Sequence, residues 1–305
     1  MILGILYVLA ALVAALVIFL GIVIALVLYR FPGRYFDADG VRLFYREEGA
    51  GVPVVLVHGY GINADLNWRY SGVVRALRKK YRVITLDVRG HGRSGKPYEP
   101  EKYGMEMVRD VIRLLDHLGI EKAHVVGYSM GGFITIKLTT TYPDRLLSAV
   151  PCASGFERPE GEKIEVLRQL TETLEQSESY GPLLRFLEPG VPPEWRIKMV
   201  DFLMGVINDN KAMWALMKAF VDLAVTEEDL RNNQVPVLSI VGTRDPLGGG
   251  VKGMTEHMAH HEAVYIEGGD HLTTILNKNY LESLTAFLAK NTPALSLESQ
   301  RDSVR

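Results

Sequence analysis

Short runs of β-branched and other apolar residues alternate along most of this chain with longer segments of helical periodicity. Runs such as VVLV, YRVITL and AHVV are typical of strands buried on both faces of a sheet. The stretch MEMVRDVIRLLDHLG instead carries apolar residues at helical spacing. Strands that alternate with helices form a parallel sheet with helices on both sides. The sequence therefore predicts an α/β fold with a mostly parallel sheet.

The alternation stops for a long stretch near the middle of the chain. From residue 156 to residue 232 no strand pattern is visible, and segments such as IEVLRQLTETLEQ and WRIKMVDFLMGVI are helical and amphipathic. Strand patterns return in VPVLSIVGTRDP and EAVYIEGGDH. We therefore predict a core in two parts, residues 33–155 and 233–293, interrupted by a helical insertion at 156–232. The last residues, 294–305, lack periodicity and are predicted to form a flexible tail.

The beginning of the chain is strongly apolar. No charged residue occurs from Ile2 to Tyr29, a run longer than the roughly 20 residues that cross a bilayer. A secretory signal is the alternative, but its apolar region is usually shorter and follows a basic stretch. The sequence predicts a transmembrane anchor over residues 1–32, with the lipid bilayer as a partner. Because basic residues, starting with Arg30 and Arg34, follow this segment, we expect the large domain after it to be cytoplasmic.

The charge and cysteine content exclude several other classes of protein. The 305 residues include 34 basic and 36 acidic ones without a block of either sign, so we expect no nucleic-acid partner. The single cysteine, Cys152, has no companion for a disulfide or a thiolate metal site. His257, His260 and His261 lie close together but lack a further set of ligands. We therefore predict neither a metal ion nor a cofactor.

The segment GYSMGG places a serine between glycines where a predicted strand ends and a helix begins. Gly127 and Gly131 leave room for a tight turn that exposes the hydroxyl of Ser129, as in a nucleophile elbow. The free N–H groups at the start of the following helix favour negative charge at this point. Such a short motif also occurs by chance, so the prediction depends on partner residues elsewhere in the chain.

Two further reactive residues follow later strands of the predicted sheet. Asp245 comes after the strand in VPVLSIVGTRDP, and His271 after the strand in EAVYIEGGDH. A serine hydroxyl needs an imidazole to take its proton, and the imidazole needs a buried acid to fix its tautomer. Asp270 adjoins His271 and would normally point elsewhere. We predict Ser129, His271 and Asp245 as nucleophile, base and acid, although Asp245 precedes Pro246 and could be a plain turn residue.

Acyl transfer also needs donors for the oxyanion that forms on the attacked carbonyl. The backbone N–H of Met130, directly after the serine, is one candidate donor. The second should come from the loop after VVLVHG, where Tyr60 follows Gly59. His58 and His91 are expected to bond the loop backbone rather than to take part in catalysis.

Taken together, HGYG, DVRGHGRS, GYSMGG, GTRD and GGDH resemble the α/β-hydrolase superfamily over residues 41–290. The resemblance implies a Ser129, Asp245 and His271 triad, oxyanion donors at Tyr60 and Met130, and a lid formed by the helical insertion. Some members take the acid from the strand before the insertion, which would nominate Glu157. The serine at the nucleophile position argues against the aspartate-dependent dehalogenases and epoxide hydrolases that share this pattern.

The leading functional hypothesis is a membrane-anchored serine hydrolase that cleaves a small apolar carboxylic ester, such as a lipid or monoacylglycerol-like molecule. Three alternatives stay open: a carbon–carbon bond hydrolase, a peptidase of the same fold, and a receptor that binds without turnover. Methionine and aromatic residues in the insertion suit either a lid over an acyl chain or simple helix packing. The sequence does not determine the oligomeric state.

Overall fold

The computed structural model describes residues 31–156, 162–176, 179–188 and 190–293, and seven separate helical positions before residue 22. The chain divides into two compact units, Met1–Gly33 and Arg34–Arg305. All the elements named below lie in the second unit.

The described elements alternate as the sequence predicts. The strands are β1 (Arg34–Ala38), β2 (Val41–Glu48), β3 (Val52–Val57), β4 (Tyr81–Leu86), β5 (Ala123–Tyr128), β6 (Leu146–Cys152), β7 (Val237–Gly242) and β8 (His261–Ile266). The helices are α1 (Val73–Leu77), α2 (Met105–His117), α3 (Met130–Thr141), α4 (Glu162–Gln176), α5 (Gly181–Leu187), α6 (Glu194–Ile207), α7 (Asn210–Lys218), α8 (Glu227–Asn232), α9 (Gly248–His257) and α10 (Lys278–Lys290). In its described part, the helical insertion comprises α4 to α8 between β6 and β7.

The eight strands form one sheet in the order β1-β2-β4-β3-β5-β6-β7-β8. The six strands from β4 to β8 in this order pair in parallel, whereas β1 and β2 run antiparallel at one edge. The predicted α/β fold with a mostly parallel sheet is therefore confirmed. The sequence interpretation missed β1, which joins β2 through Asp39 and Gly40, both with positive φ. An Asp-Gly pair between two extended runs is a hairpin signal.

The central strands are buried on both faces because each contributes side chains to two apolar layers. Val55 and Val57 of β3 belong to one hydrophobic cluster, and Val54 and Leu56 to the other. Successive side chains of a strand point to opposite faces, so an uninterrupted apolar run is what a sheet covered by helices on both faces requires. This sheet fixes the ends of β3, β5, β7 and β8, where the predicted site residues occur.

The structure contradicts the prediction that residues 1–32 anchor the protein in a membrane. Within the part of the chain that the structure describes, no helix is both long and apolar enough to cross a bilayer. A span needs about 20 consecutive residues, and only seven separate positions before Phe31 are described. Most of the predicted anchor thus lies outside the described residues, as do Glu157 and the predicted tail at 294–305.

Candidate active site

Ser129 lies in the tight turn between β5 and α3. Its φ of 52° and ψ of −115° are unusual for a residue other than glycine and represent local strain. The flanking glycines permit close packing around this turn. A Cβ atom at Gly127 would lie 1.9 Å from the carbonyl oxygen of Gly131, and one at Gly131 would lie 2.0 Å from that of Val57. The backbone N–H of Ser129 donates to the carbonyl of Cys152 at 2.9 Å, which fixes the turn against β6.

The structure brings the three predicted triad residues together. Nε2 of His271 lies 3.0 Å from Oγ of Ser129, and Nδ1 of His271 lies 2.9 Å from Oδ2 of Asp245. The carboxylate of Asp245 is fully buried and also accepts the backbone N–H of Leu247 at 2.9 Å. With Nδ1–H donating to the carboxylate, Nε2 is left to accept the serine proton. Their catalytic roles stay a prediction at this point.

Asp270 organises the loop that carries His271. Its Oδ1 accepts the backbone N–H groups of Leu272 and Thr273 at 3.0 and 2.8 Å and the hydroxyl of Thr273 at 2.7 Å. Burial raises the pKa of Asp270, but the Thr273 and Leu272 hydrogen bonds and the Arg244 charge more than offset it, so the pKa is lowered. Arg244 lies 3.7 Å from this carboxylate. Asp270 is therefore a loop-fixing residue, a role that the sequence did not reveal.

The turn that contains Tyr60 is fixed by two buried histidines and an asparagine. Nδ1 of His58 lies 2.8 Å from the carbonyl of Gly59, and the N–H of Gly61 donates to Nε2 of His91 at 3.0 Å. The N–H of Gly59 donates to Oδ1 of Asn67 at 2.9 Å. Burial lowers the pKa of both histidines, which keeps them neutral. The prediction that His58 and His91 bond the loop backbone is confirmed.

Tyr60 and Met130 both lie next to Ser129. A Cβ atom at Gly59 would be 3.4 Å from that of Ser129, which places the Tyr60 turn directly against the serine. No acceptor for the Tyr60 N–H occurs among the described residues. Met130 is the first residue of α3, whose N–H has no acceptor within the helix. Both groups are thus available as oxyanion donors, which stays a prediction.

A cavity of about 470 Å³ opens onto Ser129 and His271. The carboxyl edge of the sheet contributes one side of its wall, including Leu247 and Ile275, and the helical insertion contributes the other, including Leu170 and Leu183. Among the described residues that line the cavity, none is Asp, Glu, Lys or Arg. The cavity therefore suits an uncharged, apolar ligand.

Most of the methionine and aromatic residues that suggested a lid lie away from the cavity. Of the eight that the sequence singles out between Trp195 and Phe220, only Met217 and Phe220 line it. Trp195, Met199 and Phe202 on α6 are exposed instead. The remaining members of the predicted set, none of which lines the cavity, are Met204, Met213 and Trp214. Helical periodicity identified apolar positions but not which of them face a ligand.

The three histidines of the segment HMAHHE belong to different elements of the structure. Among the described residues, no group of three or more His, Cys, Asp or Glu side chains could hold a metal ion. His257 ends α9, whereas His261 begins β8 and contacts Ser239 through Nε2 at 2.9 Å. Sequence proximity alone therefore gave no information on how these side chains are oriented.

Comparison with known proteins supports the same class of fold. Residues 52–178 match the family model of the alpha/beta hydrolase fold. The crystal structure of a hydrolase from Pseudomonas aeruginosa aligns with a TM-score of 0.70 at 22% identity, over 85% of this chain and 99% of that one. The chain thus has the α/β-hydrolase fold, and its residues 52–178 match the family model.

The curated relatives differ in chemistry. A protein from Azorhizobium caulinodans named as a carbamate hydrolase is 39% identical over 125 residues, which are 41% of this chain and 44% of that protein. A non-heme haloperoxidase from Rhodococcus erythropolis is 28% identical over 228 residues, 69% of this chain and 81% of that protein. The chain thus spans less than half of the length of the Azorhizobium caulinodans protein, the more identical of the two.

Proposed function

We propose that this protein is a serine hydrolase that cleaves neutral carboxylic esters with an apolar acyl group. The observation that carries the proposal is the chain of contacts from Asp245 through His271 to Ser129, which opens onto the uncharged cavity. The hydrolases among the relatives support the reaction class. The ester and its acyl group are inferred from the chemistry of the cavity.

In the proposed mechanism, Oγ of Ser129 attacks the ester carbonyl while Nε2 of His271 takes the hydroxyl proton. Asp245 holds the imidazole and stabilises its charged form. The N–H groups of Tyr60 and Met130 donate to the oxyanion of the tetrahedral intermediate. When the carbon–oxygen bond of the ester breaks, His271 gives its proton to the leaving alcohol, and an acyl-enzyme remains. A water molecule, deprotonated by His271, then attacks the acyl carbon. The bond from this carbon to Oγ of Ser129 breaks, His271 returns its proton to Oγ, and the acid leaves.

We further propose that the helical insertion acts as a cap over residues 33–155 and 233–293. Its contribution to the cavity wall is apolar, as Leu170, Leu183 and Phe186 illustrate. The cavity volume lies within the range of about 300–1,000 Å³ that is usual for sites of small molecules. A monoacylglycerol-like or other small lipid ester therefore fits the cavity in size and polarity.

The alternatives require features that the described cavity wall lacks. A carbon–carbon bond substrate that carries a carboxylate would be desolvated there without a lysine or arginine partner, which is costly for a charged group. Peptide cleavage would bury polar amides against apolar side chains. A receptor that binds without turnover would make no use of the contact between Ser129 and His271, although fold alone does not decide this.

The test is a panel of p-nitrophenyl esters from acetate to palmitate, with amides and vinylogous diketones in parallel. We expect kcat/KM to rise from acetate to a medium-length acyl chain, and the amides and diketones to react at least about 100-fold more slowly. Ser129→Ala should abolish turnover, while single-turnover measurements should detect an acyl-enzyme in the wild type. Faster diketone cleavage than ester cleavage, or binding without acylation, would contradict the proposal.

A further inference from the structure

Gly61 directly follows the proposed oxyanion donor Tyr60. Its carbonyl accepts a hydrogen bond from a side chain of the helical insertion. Asn208 is the C-cap residue of α6 and donates from Nδ2 to this carbonyl oxygen at 2.8 Å. We propose that Asn208 is a positioning residue. Through it, the packing of the insertion against the Gly61 turn controls the geometry of the oxyanion hole. The inference rests on the proposed function, since it concerns donors that matter only if Ser129 is acylated.

Asn208 supplies a different kind of restraint from the others on this turn. The hydrogen bonds to the Gly59 carbonyl, the Gly59 N–H and the Gly61 N–H all come from side chains of the core, namely His58, Asn67 and His91. The bond to the Gly61 carbonyl instead comes from the insertion. The core therefore holds one side of the Gly61 residue and the insertion holds the other.

The last turn of α6 also packs directly on Gly61. A Cβ atom at this position would lie 2.1 Å from Cε of Met204, and the φ of Gly61 is +73°. Residue 61 thus adopts a backbone conformation that glycine accepts readily, with the methionine side chain against its Cα. Because the backbone N–H of Asn208 donates to the Met204 carbonyl at 2.9 Å, both contacts belong to one helical turn and move with it.

This arrangement makes the insertion part of the oxyanion machinery without contact with the reacting atoms. When α6 packs against this turn, Asn208 donates to the Gly61 carbonyl and His91 accepts the Gly61 N–H, so both sides of Gly61 are restrained. Without that donor, the carbonyl side of Gly61 loses its restraint and only the N–H side stays held, by His91. Tyr60 precedes Gly61 directly. Removal of a direct oxyanion donor costs about 100- to 1,000-fold in kcat. Loss of a restraint on the donor's neighbour should cost less, roughly tenfold.

The experiment uses the full chain and compares two Asn→Asp replacements, at positions two residues apart. Asn208→Asp keeps the side-chain shape but replaces the donor with a carboxylate that repels the Gly61 carbonyl. Asn210→Asp is the matched control, because Oδ1 of Asn210 accepts the Tyr180 hydroxyl at 3.0 Å within the insertion and a carboxylate can still do so. Tyr98→Phe is a second control. It removes a 2.8 Å bond from the core to Asp209, next to Asn208 but away from the oxyanion turn.

The readouts are kcat and KM for a medium-chain ester and the inhibition constant of an alkyl boronic acid. The boronate forms a tetrahedral adduct on serine that occupies the oxyanion hole. For Asn208→Asp we expect kcat to fall about tenfold, with KM within twofold and a boronate inhibition constant raised by the same factor as kcat falls. Asn208→Ala should give a smaller change in the same direction. Asn210→Asp and Tyr98→Phe should stay within about twofold of the wild type.

The outcomes separate this inference from the proposed function. Two results would overturn the role of Asn208 alone. One is a wild-type kcat per titrated active site in Asn208→Asp, and the other is an unchanged inhibition constant of the boronate in this variant. An equal loss in Tyr98→Phe would also overturn it, because the effect would then come from docking of the insertion in general. If the wild type itself neither hydrolyses esters nor binds the boronate, the proposed function fails and this inference falls with it.

Discussion

The loops at the carboxyl edge of the sheet and the helical insertion form opposite walls of the same cavity by different means. The loops hold Ser129, Asp245 and His271 through short hydrogen bonds to buried backbone and side-chain groups. The insertion presents mainly aliphatic and aromatic side chains, such as Leu183 and Phe186. Polar contacts constrain geometry closely, whereas apolar contacts tolerate changes of shape. Under the proposed function, the comparison teaches that the sheet edge performs the reaction and that the insertion selects the substrate.

The central strands and helix α6 of the insertion also differ in how completely they bury their apolar residues. Val55 and Val57 in the sheet are fully buried. On α6, by contrast, Trp195 is 66% exposed and Phe202 is 71% exposed. A helix can therefore be amphipathic in sequence and still present large apolar side chains to solvent.

The largest effect that we expect arises from the acid at the sheet edge. Asp245→Asn should lower kcat/KM for a medium-chain ester by about 10⁴-fold, because an amide no longer fixes the imidazole tautomer. The measurement is steady-state kinetics on the purified full chain, with circular dichroism to verify the fold.

A matched control for this variant is the carboxylate next to His271. In Asp270→Asn the amide oxygen can still accept the N–H groups of Leu272 and Thr273, so we expect a loss of less than about fivefold, in line with a surface charge. A comparable loss in both variants would show that any carboxylate change near His271 disables the site, and the assignment of Asp245 as the acid would fail.

The second prediction concerns the acid stability of the sheet, in which two histidines lie. Burial lowers the pKa of both His124 in β5 and His261 in β8 to about 4. Between pH 6.5 and pH 4 the unfolded chain therefore takes up protons at these residues that the folded chain does not. The stabilisation is complete above pH 6.5 and is lost as the pH falls through this window, by roughly 2–3 kcal/mol in the free energy of unfolding for each of the two histidines.

Urea unfolding at pH 7 and at pH 4.5 measures this loss. His124→Gln should reduce the difference between the free energies of unfolding at the two pH values. The variant lacks the imidazole that takes up a proton in the unfolded chain but not in the folded one. The comparison uses the difference rather than absolute stability, since the replacement also alters contacts to Ser148 and Thr292 at 2.7 and 3.2 Å. An unchanged difference in the variant would contradict the assignment.

The smallest expected effect tests substrate selection by the insertion. Leu170 of α4 is 1% exposed and lines the cavity. Leu170→Trp should fill part of the cavity and lower the ratio of kcat/KM for octanoate over acetate esters by about tenfold, with acetate hydrolysis little changed. Leu170→Met, which preserves volume, should leave the ratio within about twofold. An unchanged ratio in Leu170→Trp would mean that this wall does not select the acyl chain.

The sequence predicts the sheet and the approximate site because both depend on local signals. The strand that ends in GYS and the glycines around Ser129 specify the nucleophile turn without reference to distant residues. Asp245 and His271 were identifiable because parallel strands bring their carboxyl ends to one edge. Such signals predict which residues meet, and the contacts from His271 to Ser129 and Asp245 agree with them.

The remaining features depend on three-dimensional packing that has no local signature. The bond from Asn208 to Gly61 joins residues 147 positions apart, and nothing in either segment points to the other. The role of Asp270 became visible only when its carboxylate was seen to accept three hydrogen bonds within the loop. The predicted membrane location failed for a related reason, because apolar composition at 1–32 was its only basis.

The most direct test of the account is covalent labelling with a fluorophosphonate, read out by peptide mass spectrometry. This reagent needs a serine activated by a neighbouring base. We predict a single adduct on Ser129 in the wild type, none in Ser129→Ala, and wild-type labelling in Ser154→Ala, whose buried hydroxyl has no hydrogen-bond partner within the described structure. Absence of an adduct in the folded wild type, or equal labelling of Ser129→Ala, would contradict the claim that Ser129 is the nucleophile.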